Sequence, residues 1–250
     1  MITGERVTTD SGGFNPTYQR HVAAYRLCAP LLPAGRVLDL GCGIGHSYRE
    51  LAPRVTVGVD LDAGALAGQE RETVRADMRR LPFGDRSFAA VLSVQSIEHV
   101  PDPEAVLREV ARVLEPGGRA VFVTPNRLTF GRPDEIIDPY HYVEYDARQL
   151  AALCAPFFAG VEVAGIHGSP AYEALVAAER AELARLLALD PLRLRRLVPR
   201  RLRQRLYDWR LTRDRVTPRP GAPDITPADF TLRRDDLDRS LDVVAIADLA

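Results

Sequence analysis

Three aspartates and a run of glycines carry the clearest chemistry in this sequence. The segment VLDLGCGIG (37–45) reads as a buried strand that turns tightly through Gly41, Cys42 and Gly43. Glycine at 41 and 43 lets the backbone pass close to a ligand with no Cβ in the way. Asp39 stands two residues before the first glycine, Asp60 closes the strand VTVGVD (55–60), and Asp77 follows the strand TVRA (73–76). Carboxylates at three successive strand ends surround one crevice, where nucleotide-type ligands sit in open α/β sheets. The glycines alone also fit an NAD-type site, with Asp60 at nearly the distance of the acid that grips ribose hydroxyls. Two features oppose a dinucleotide. His46 stands where that fingerprint wants a third glycine, and the Asp39 carboxylate would repel a pyrophosphate. A cationic ligand suits that carboxylate better.

These residues need a scaffold, and the chain supplies one by alternation. A helix over 16–32 opens the pattern, followed by strands at 36–40, 55–60, 73–76, 88–94 and 119–124. Helical stretches at 46–52, 62–69 and 103–115 lie between strands, the last closed by Pro116-Gly117-Gly118. Proline cannot continue a helix, and glycine accepts positive φ. The alternation predicts a doubly wound α/β sheet. Residues 125–145 read as a long loop over the sheet. A helix at 146–155, a strand at 160–166, a helix near 171–189 and a terminal strand at 240–247 complete the chain.

VLDLGCGIG, VGVDLD, RADMRRLPFGDRSFAAVLSVQSIEHVPDP and REVARVLEPGGRAVFVTPN follow one another in order. Together they resemble the class I S-adenosylmethionine-dependent methyltransferases, over roughly residues 16–166. The resemblance implies a seven-stranded sheet in the order 3-2-1-4-5-7-6, with strand 7 antiparallel and supplied by the terminal segment. It also implies S-adenosylmethionine as the cofactor. Gly41, Cys42 and Gly43 would lie against its methionine part, with Asp39 supporting the loop. Asp60 would accept from both ribose hydroxyls, a task suited to a group with acceptors only. Leu61 would flank the adenine, Asp77 would receive its amino group with the Met78 backbone beside it, and Gln95 would border the sulfonium. Tyr18, which shares a helix face with His21, either touches the carboxylate end of the cofactor or simply packs.

Methyl transfer is an in-line displacement that depends on positioning, and a hydroxyl acceptor also needs a base. His99 in SIEHVPDP is the first candidate, since imidazole has a suitable pKa. Glu98 would orient it or bind a substrate hydroxyl. His141 in DPYHYVEY (138–145) is the second candidate base, with Tyr140 and Tyr142 facing substrate. The expected reaction is O-methylation of a small hydroxylated metabolite, a sugar, glycoside or phenolic natural product. C-methylation of an activated ring and a non-catalytic cofactor-binding partner protein are the alternatives, and an NAD-dependent dehydrogenase is the least favoured.

The chain has 250 residues, 46% hydrophobic and 27% charged, with a net charge of −1. That composition suits one soluble domain over 1–250, carrying a helical, lid-like insertion at 167–230. Cys28, Cys42 and Cys154 are far apart with no CxxC spacing, so neither a disulfide framework nor a metal site is expected. A polar start after Met1 and the lack of an apolar run of ~18–20 residues point to a cytoplasmic protein. Residues 193–219 hold eleven Arg and two Asp, a local +9 that leaves −10 for the rest. Leu194, Leu197, Val198, Leu202, Leu206 and Trp209 recur there at helical steps, with a break at Pro199. The preferred expectation is that this stripe docks on the domain and leaves the arginines solvated. Arginines gripping an anionic acceptor, or the stripe lying on an anionic membrane, are the other readings. Nucleic acid is not expected, with net charge near zero and no aromatic RNA-binding signature.

Overall fold

The computed structural model describes residues 16–130, 135–190, 193–207 and 224–250. Its strands are β1 (Val37–Leu40), β2 (Thr56–Asp60), β3 (Glu72–Arg75), β4 (Phe88–Val94), β5 (Leu114–Pro125), β6 (Gly160–Gly168), β7 (Phe230–Arg233) and β8 (Asp242–Asp248). They form one sheet in the order β3-β2-β1-β4-β5-β8-β6-β7. Strands β1 to β5 pair in parallel, and β8 is antiparallel to both its neighbours. The expected order therefore holds, with one addition. The short segment FTLR becomes β7 and pairs antiparallel to β6, covering what would have been an open edge.

Side chains alternate across a strand, so each strand feeds two layers. Leu38, Leu40, Phe122 and Val243 face the layer of α3 (Pro103–Val113) and α4 (Ala147–Cys154). Val37, Leu92, Val121 and Val244 face α1 (Pro16–Cys28), which meets them with Ala23, Ala24, Tyr25 and Cys28. The same parity puts Asp39 and Asp242 on the α1 side, both fully buried. The helix answers each of them. The Tyr25 hydroxyl donates to Asp39 Oδ1 at 2.8 Å. Arg20 Nε donates to Asp242 Oδ2 at 2.7 Å, and its Nη2 serves Asp242 Oδ1 and the Leu241 carbonyl. Buried carboxylates require such partners, because an unpaired buried charge is strongly destabilising.

Several boundaries differ from the sequence reading. The first helix ends at Cys28 and continues only as a 3-10 turn, Ala29–Leu31. The helix expected at 46–52 is only the 3-10 turn Tyr48–Leu51, and the one expected at 62–69 is the single turn α2 (Ala63–Leu66). Pro116-Gly117-Gly118 does not close a helix either. α3 ends at Val113, β5 begins at once, and the Pro-Gly-Gly segment bulges between the Phe88–Leu114 and Ala90–Arg119 pairs, with Gly117 at φ +72°.

The insertion corrects the preferred expectation for the leucine stripe. It contains α5 (Pro170–Ala188), a 3-10 turn at Leu194–Leu197 and a helix at 200–207, broken at Pro199 as the sequence predicts. Trp209, the linker 217–223, Gly131 and Pro133 lie outside the described residues. Leu194, Leu197, Leu202 and Leu206 are exposed, Leu197 by 80%. The inward contacts are polar instead. Arg200 donates to the carbonyls of Pro139 at 2.7 Å and Tyr140 at 3.0 Å, and its guanidinium lies 3.8 Å from the Tyr142 ring centre. Tyr207 donates to Asp138 at 2.8 Å, and Arg195 pairs with Glu135. The loop at 135–145 presents carbonyls and carboxylates to the insertion, which draw in its polar face. Among the described residues no helix is long and apolar enough to cross a membrane.

The Arg20–Asp242 pair joins the first helix to the last strand. Asp242→Ala leaves the Arg20 guanidinium buried without its carboxylate and is expected to cost about 3–5 kcal/mol of unfolding free energy. Urea denaturation measures this, and a loss below about 1 kcal/mol would show that the pair is not structural.

Candidate active site

The sheet order reverses between β1 and β4, which opens a crevice at the carboxyl ends of those strands. The turn after β1 forms one wall, and the turn after β4 forms the other. Gly41 and Cys42 both donate to the Val59 carbonyl, at 2.8 and 2.9 Å. Gly41 has φ +75°, and a Cβ there would sit 2.5 Å from the Ser96 Cβ, so only glycine lets the two walls meet. Ser96 Oγ donates to the Leu40 carbonyl at 3.2 Å. Gly43 also has positive φ, but a Cβ there would meet nothing within 4 Å. Its backbone lies bare to the crevice.

Asp39 supports this loop from beneath. Besides Tyr25, it accepts from Arg71 Nη2 at 2.7 Å. Arg71 reaches it by crossing Gly58, which pairs with Asp39 in the sheet and where a Cβ would lie 2.7 Å from the guanidinium. The guanidinium stacks on Tyr48 at 4.4 Å. Arg71 Nε donates to Gln69 Oε1 at 3.0 Å, and Gln69 Nε2 donates to the Gly43 carbonyl at 2.9 Å. A continuous set of bonds thus runs from α1 to the tip of the loop. Tyr25, Gln69 and Arg71 were missed by sequence reasoning. Gly58 was the available signal, since glycine inside a strand marks close approach of another group.

This geometry changes the argument about Asp39. Its carboxylate is neutralised inside the protein and does not face the crevice; burial raises its pKa against the pull of Arg71 and Tyr25. What disfavours a pyrophosphate is the element after the loop. A dinucleotide site uses a helix N-terminus there, and this chain has only the turn at Tyr48–Leu51. Burial pushes the Cys42 thiol up to about 12, so it packs as a neutral group.

Asp60 is held differently from Asp39 and Asp77. Its Oδ2 accepts from Gly43 N and its Oδ1 from Asp62 N, both at 2.9 Å. One N–H on each oxygen fixes the carboxylate and leaves lone pairs for two hydroxyl donors. Leu61 beside it is 64% exposed, an apolar surface that a purine would cover. The Met78 methyl lies 3.3 Å from the Cβ position of Gly41. Asp77 is engaged by Arg79 through both oxygens, with the closest approach at 2.6 Å, and this pairing holds its pKa below the usual range. The bare Gly43 backbone, the fixed Asp60 carboxylate and exposed Leu61 fit the methionine, ribose and adenine parts of S-adenosylmethionine. Tyr18 stacks edge-on against His46 with ring centres 5.1 Å apart, and His21 does so at 5.9 Å. Burial lowers the pKa of His46 to about 4, so the imidazole beside the loop is neutral at pH 7 and does not repel a cation.

On the far wall, Gln95 adopts φ +52° and its side-chain amide donates to Asp242, joining that carboxylate's pair with Arg20. Glu98 is fully buried. Its Oε2 accepts from Thr124 at 3.0 Å, while Oε1 has no hydrogen-bond partner among the described residues. Burial raises its pKa, opposed by His99 and His141. The two imidazoles are 4.9 Å apart, and ligand atoms of Glu98, His99 and His141 lie within 4.8 Å of one another. His99 Nδ1 faces the Tyr140 carbonyl at 3.3 Å. A carbonyl only accepts, so that bond puts the proton on Nδ1 and the lone pair on Nε2. His141 is buried, which lowers its pKa, but Glu144 at 2.9 Å on Nδ1, with Glu98 and Asp138, raises it on balance. It is better placed to hold a proton than to take one. The buried Tyr145 hydroxyl, unpartnered among the described residues and pushed up to about 12 by burial, is a further polar group here that the sequence did not single out. Tyr140 lies against the insertion helix with its ring 6.4 Å from Tyr207, whereas Tyr142 carries the Arg200 guanidinium on its ring and is 44% exposed.

Known proteins similar to this chain include methyltransferases. A family profile described as methyltransferase domain matches residues 38–122. A protein of Mycolicibacterium smegmatis, named a probable S-adenosylmethionine-dependent methyltransferase, is 32% identical over 98% of this chain and 94% of its own length. One of the same description from Mycobacterium tuberculosis is 36% identical over 68% of this chain, and the match spans 65% of that relative. Among solved structures, a SAM-dependent methyltransferase from Thermotoga maritima superposes with a TM-score of 0.62 over 94% of this chain and 92% of its own, at 17% identity. That last likeness is one of fold.

The neutral His46 has a consequence for stability. Its folded pKa of about 4 lies below the ordinary 6.5, so its contribution is fully present above pH 6.5 and is lost as pH falls toward 4. Unfolding free energy of the wild type should therefore drop more steeply over that window than that of His46→Asn. Parallel profiles would mean that His46 is hydrated and not buried.

Proposed function

The chain belongs to the S-adenosylmethionine-dependent methyltransferases, and from that premise we propose that it O-methylates a small hydroxylated metabolite, with His99 as the base. The observation that carries this reading is the Glu98–His99–His141 cluster at the carboxyl end of β4, across the crevice from the glycine loop. When bound, S-adenosylmethionine supplies an electrophilic methyl group. The protein's own task is to hold the acceptor and move its proton. Nε2 of His99 takes the acceptor's hydroxyl proton, and the Tyr140 carbonyl keeps the ring in the tautomer that allows it. Glu98 stabilises the imidazolium that results. His141, held toward its protonated form by Glu144, orients and polarises the acceptor. Tyr140 and Tyr142, with the insertion helix at 200–207 against them, border the acceptor side and limit access of water. A sugar, a glycoside and a phenol all meet these requirements.

A second reading has support of its own. The unpartnered Oε1 of buried Glu98 also suits stabilisation of positive charge on a ring during C-methylation. The two readings differ in the bond formed.

The test is incubation with methyl-labelled cofactor and a metabolite extract, followed by mass analysis of the labelled product. An oxygen-linked methyl supports the proposal, and a carbon-linked methyl selects the second reading. With the identified acceptor, His99→Ala should lower kcat by about 10²–10⁴-fold while leaving cofactor affinity intact. Unchanged turnover would remove His99 from the role of base and leave His141 or positioning alone.

A further inference from the structure

Beyond α5 the insertion turns its leucines outward. Of the eleven exposed large hydrophobic residues among those described, six are Leu186, Leu189, Leu194, Leu197, Leu202 and Leu206. Single exposed leucines are ordinary on a soluble protein, but a run confined to one segment marks an interaction surface. The face opposite is already spent on the protein, through the contacts of Arg195, Arg200, Gln204 and Tyr207 with the loop at 135–140. Those bonds prevent the leucines from rolling inward without loss of the polar anchors.

The ground around these leucines is strongly cationic. From Leu186 to Leu206 the sequence has seven Arg and one acid, Asp190, which is paired with Arg195. Arg201 and Arg205 are exposed on the same helix as Leu202 and Leu206. A self-complementary contact between two copies would bring these like charges together. An anionic partner with an apolar interior satisfies both features at once. We propose that the exposed leucines from Leu186 to Leu206, with the arginines beside them, form a docking face for the surface of an anionic lipid bilayer. The leucines enter the boundary between headgroups and acyl chains, and the arginines engage lipid phosphates, for which a guanidinium is well shaped. The absence of a membrane-spanning helix among the described residues makes this contact peripheral. The anchored loop at 138–142 carries His141 and lies beside His99, so docking takes place next to the acceptor side of the crevice. The docking face itself does not depend on how the acceptor is methylated.

The experiment uses the full chain and vesicle co-sedimentation, with vesicles of phosphatidylcholine alone and of phosphatidylcholine with phosphatidylglycerol. Two variants are compared with wild type: L197S/L202S/L206S and R201E/R205E. The altered side chains are at the surface, and calorimetric affinity for S-adenosylhomocysteine in each variant checks that the fold is intact. Wild type should bind the anionic vesicles, bind phosphatidylcholine weakly, and lose binding at high salt. Each variant should bind the anionic vesicles more than about tenfold less well. Equal binding by wild type and the leucine variant would overturn the proposal, since attraction would then be purely electrostatic. So would failure to bind vesicles, whether the chain is monomeric or forms a dimer by sedimentation velocity that the leucine variant abolishes. The latter outcome would assign the face to a second copy.

Discussion

The buried pair between Asp39 and Arg71 is the interaction on which the cofactor side of this protein rests. A carboxylate at the end of the central strand is costly unless it is paired. Pairing it with Arg71 requires the guanidinium to cross β2, and that requires glycine at 58. The same guanidinium then positions Gln69, which holds the Gly43 carbonyl. The turn after β1 is therefore not a free loop that closes on its ligand. It is held open from below, with Gly43 N directed to Asp60 and the backbone surface left bare. This is preorganisation in a concrete sense: the polar groups are in place, and binding does not have to order them.

The other half of the crevice depends on a matching device. Asp242, buried on the same face of the sheet, is paired with Arg20 and takes the amide of Gln95. One helix, α1, therefore serves both walls, through Tyr25 beneath the glycine turn and Arg20 beneath the turn after β4. Contact between the walls is direct at Gly41 and Ser96. A displacement of α1 would be felt at the cofactor loop and at the segment carrying Glu98 and His99 together. The two walls of the crevice share one rigid support.

Much of this was legible in the residues. Alternating apolar runs dictate the doubly wound sheet and put Asp39, Asp60 and Asp77 at or just beyond the carboxyl ends of three neighbouring strands. The roles of those acids were less legible, because a side chain's partner is a tertiary fact. Asp39 and Asp77 each meet an arginine, whereas Asp60 is held by backbone N–H groups, and nothing in the spacing distinguishes these cases. Gln95 sits at the expected place but turns to Asp242, a residue 147 positions away. The segment FTLR was too short to be read as a strand until β6 was there to pair with it. The insertion shows the limit most plainly. Helical periodicity finds two faces correctly but does not say which one turns inward. That choice was made by the carbonyls and carboxylates of the loop at 135–145.

The central claim is that a cofactor lies directly on the backbone of the glycine turn. Gly43 tests it most directly, because a Cβ there meets no protein atom within 4 Å and projects into the space assigned to the ligand. The measurement is calorimetric titration of S-adenosylhomocysteine into wild type and Gly43→Ala, with thermal unfolding of both. Positive φ makes the substitution cost of order 1–2 kcal/mol, so the variant should stay folded while its affinity falls by at least about tenfold. Unchanged affinity in a folded variant would contradict the account and place the cofactor elsewhere.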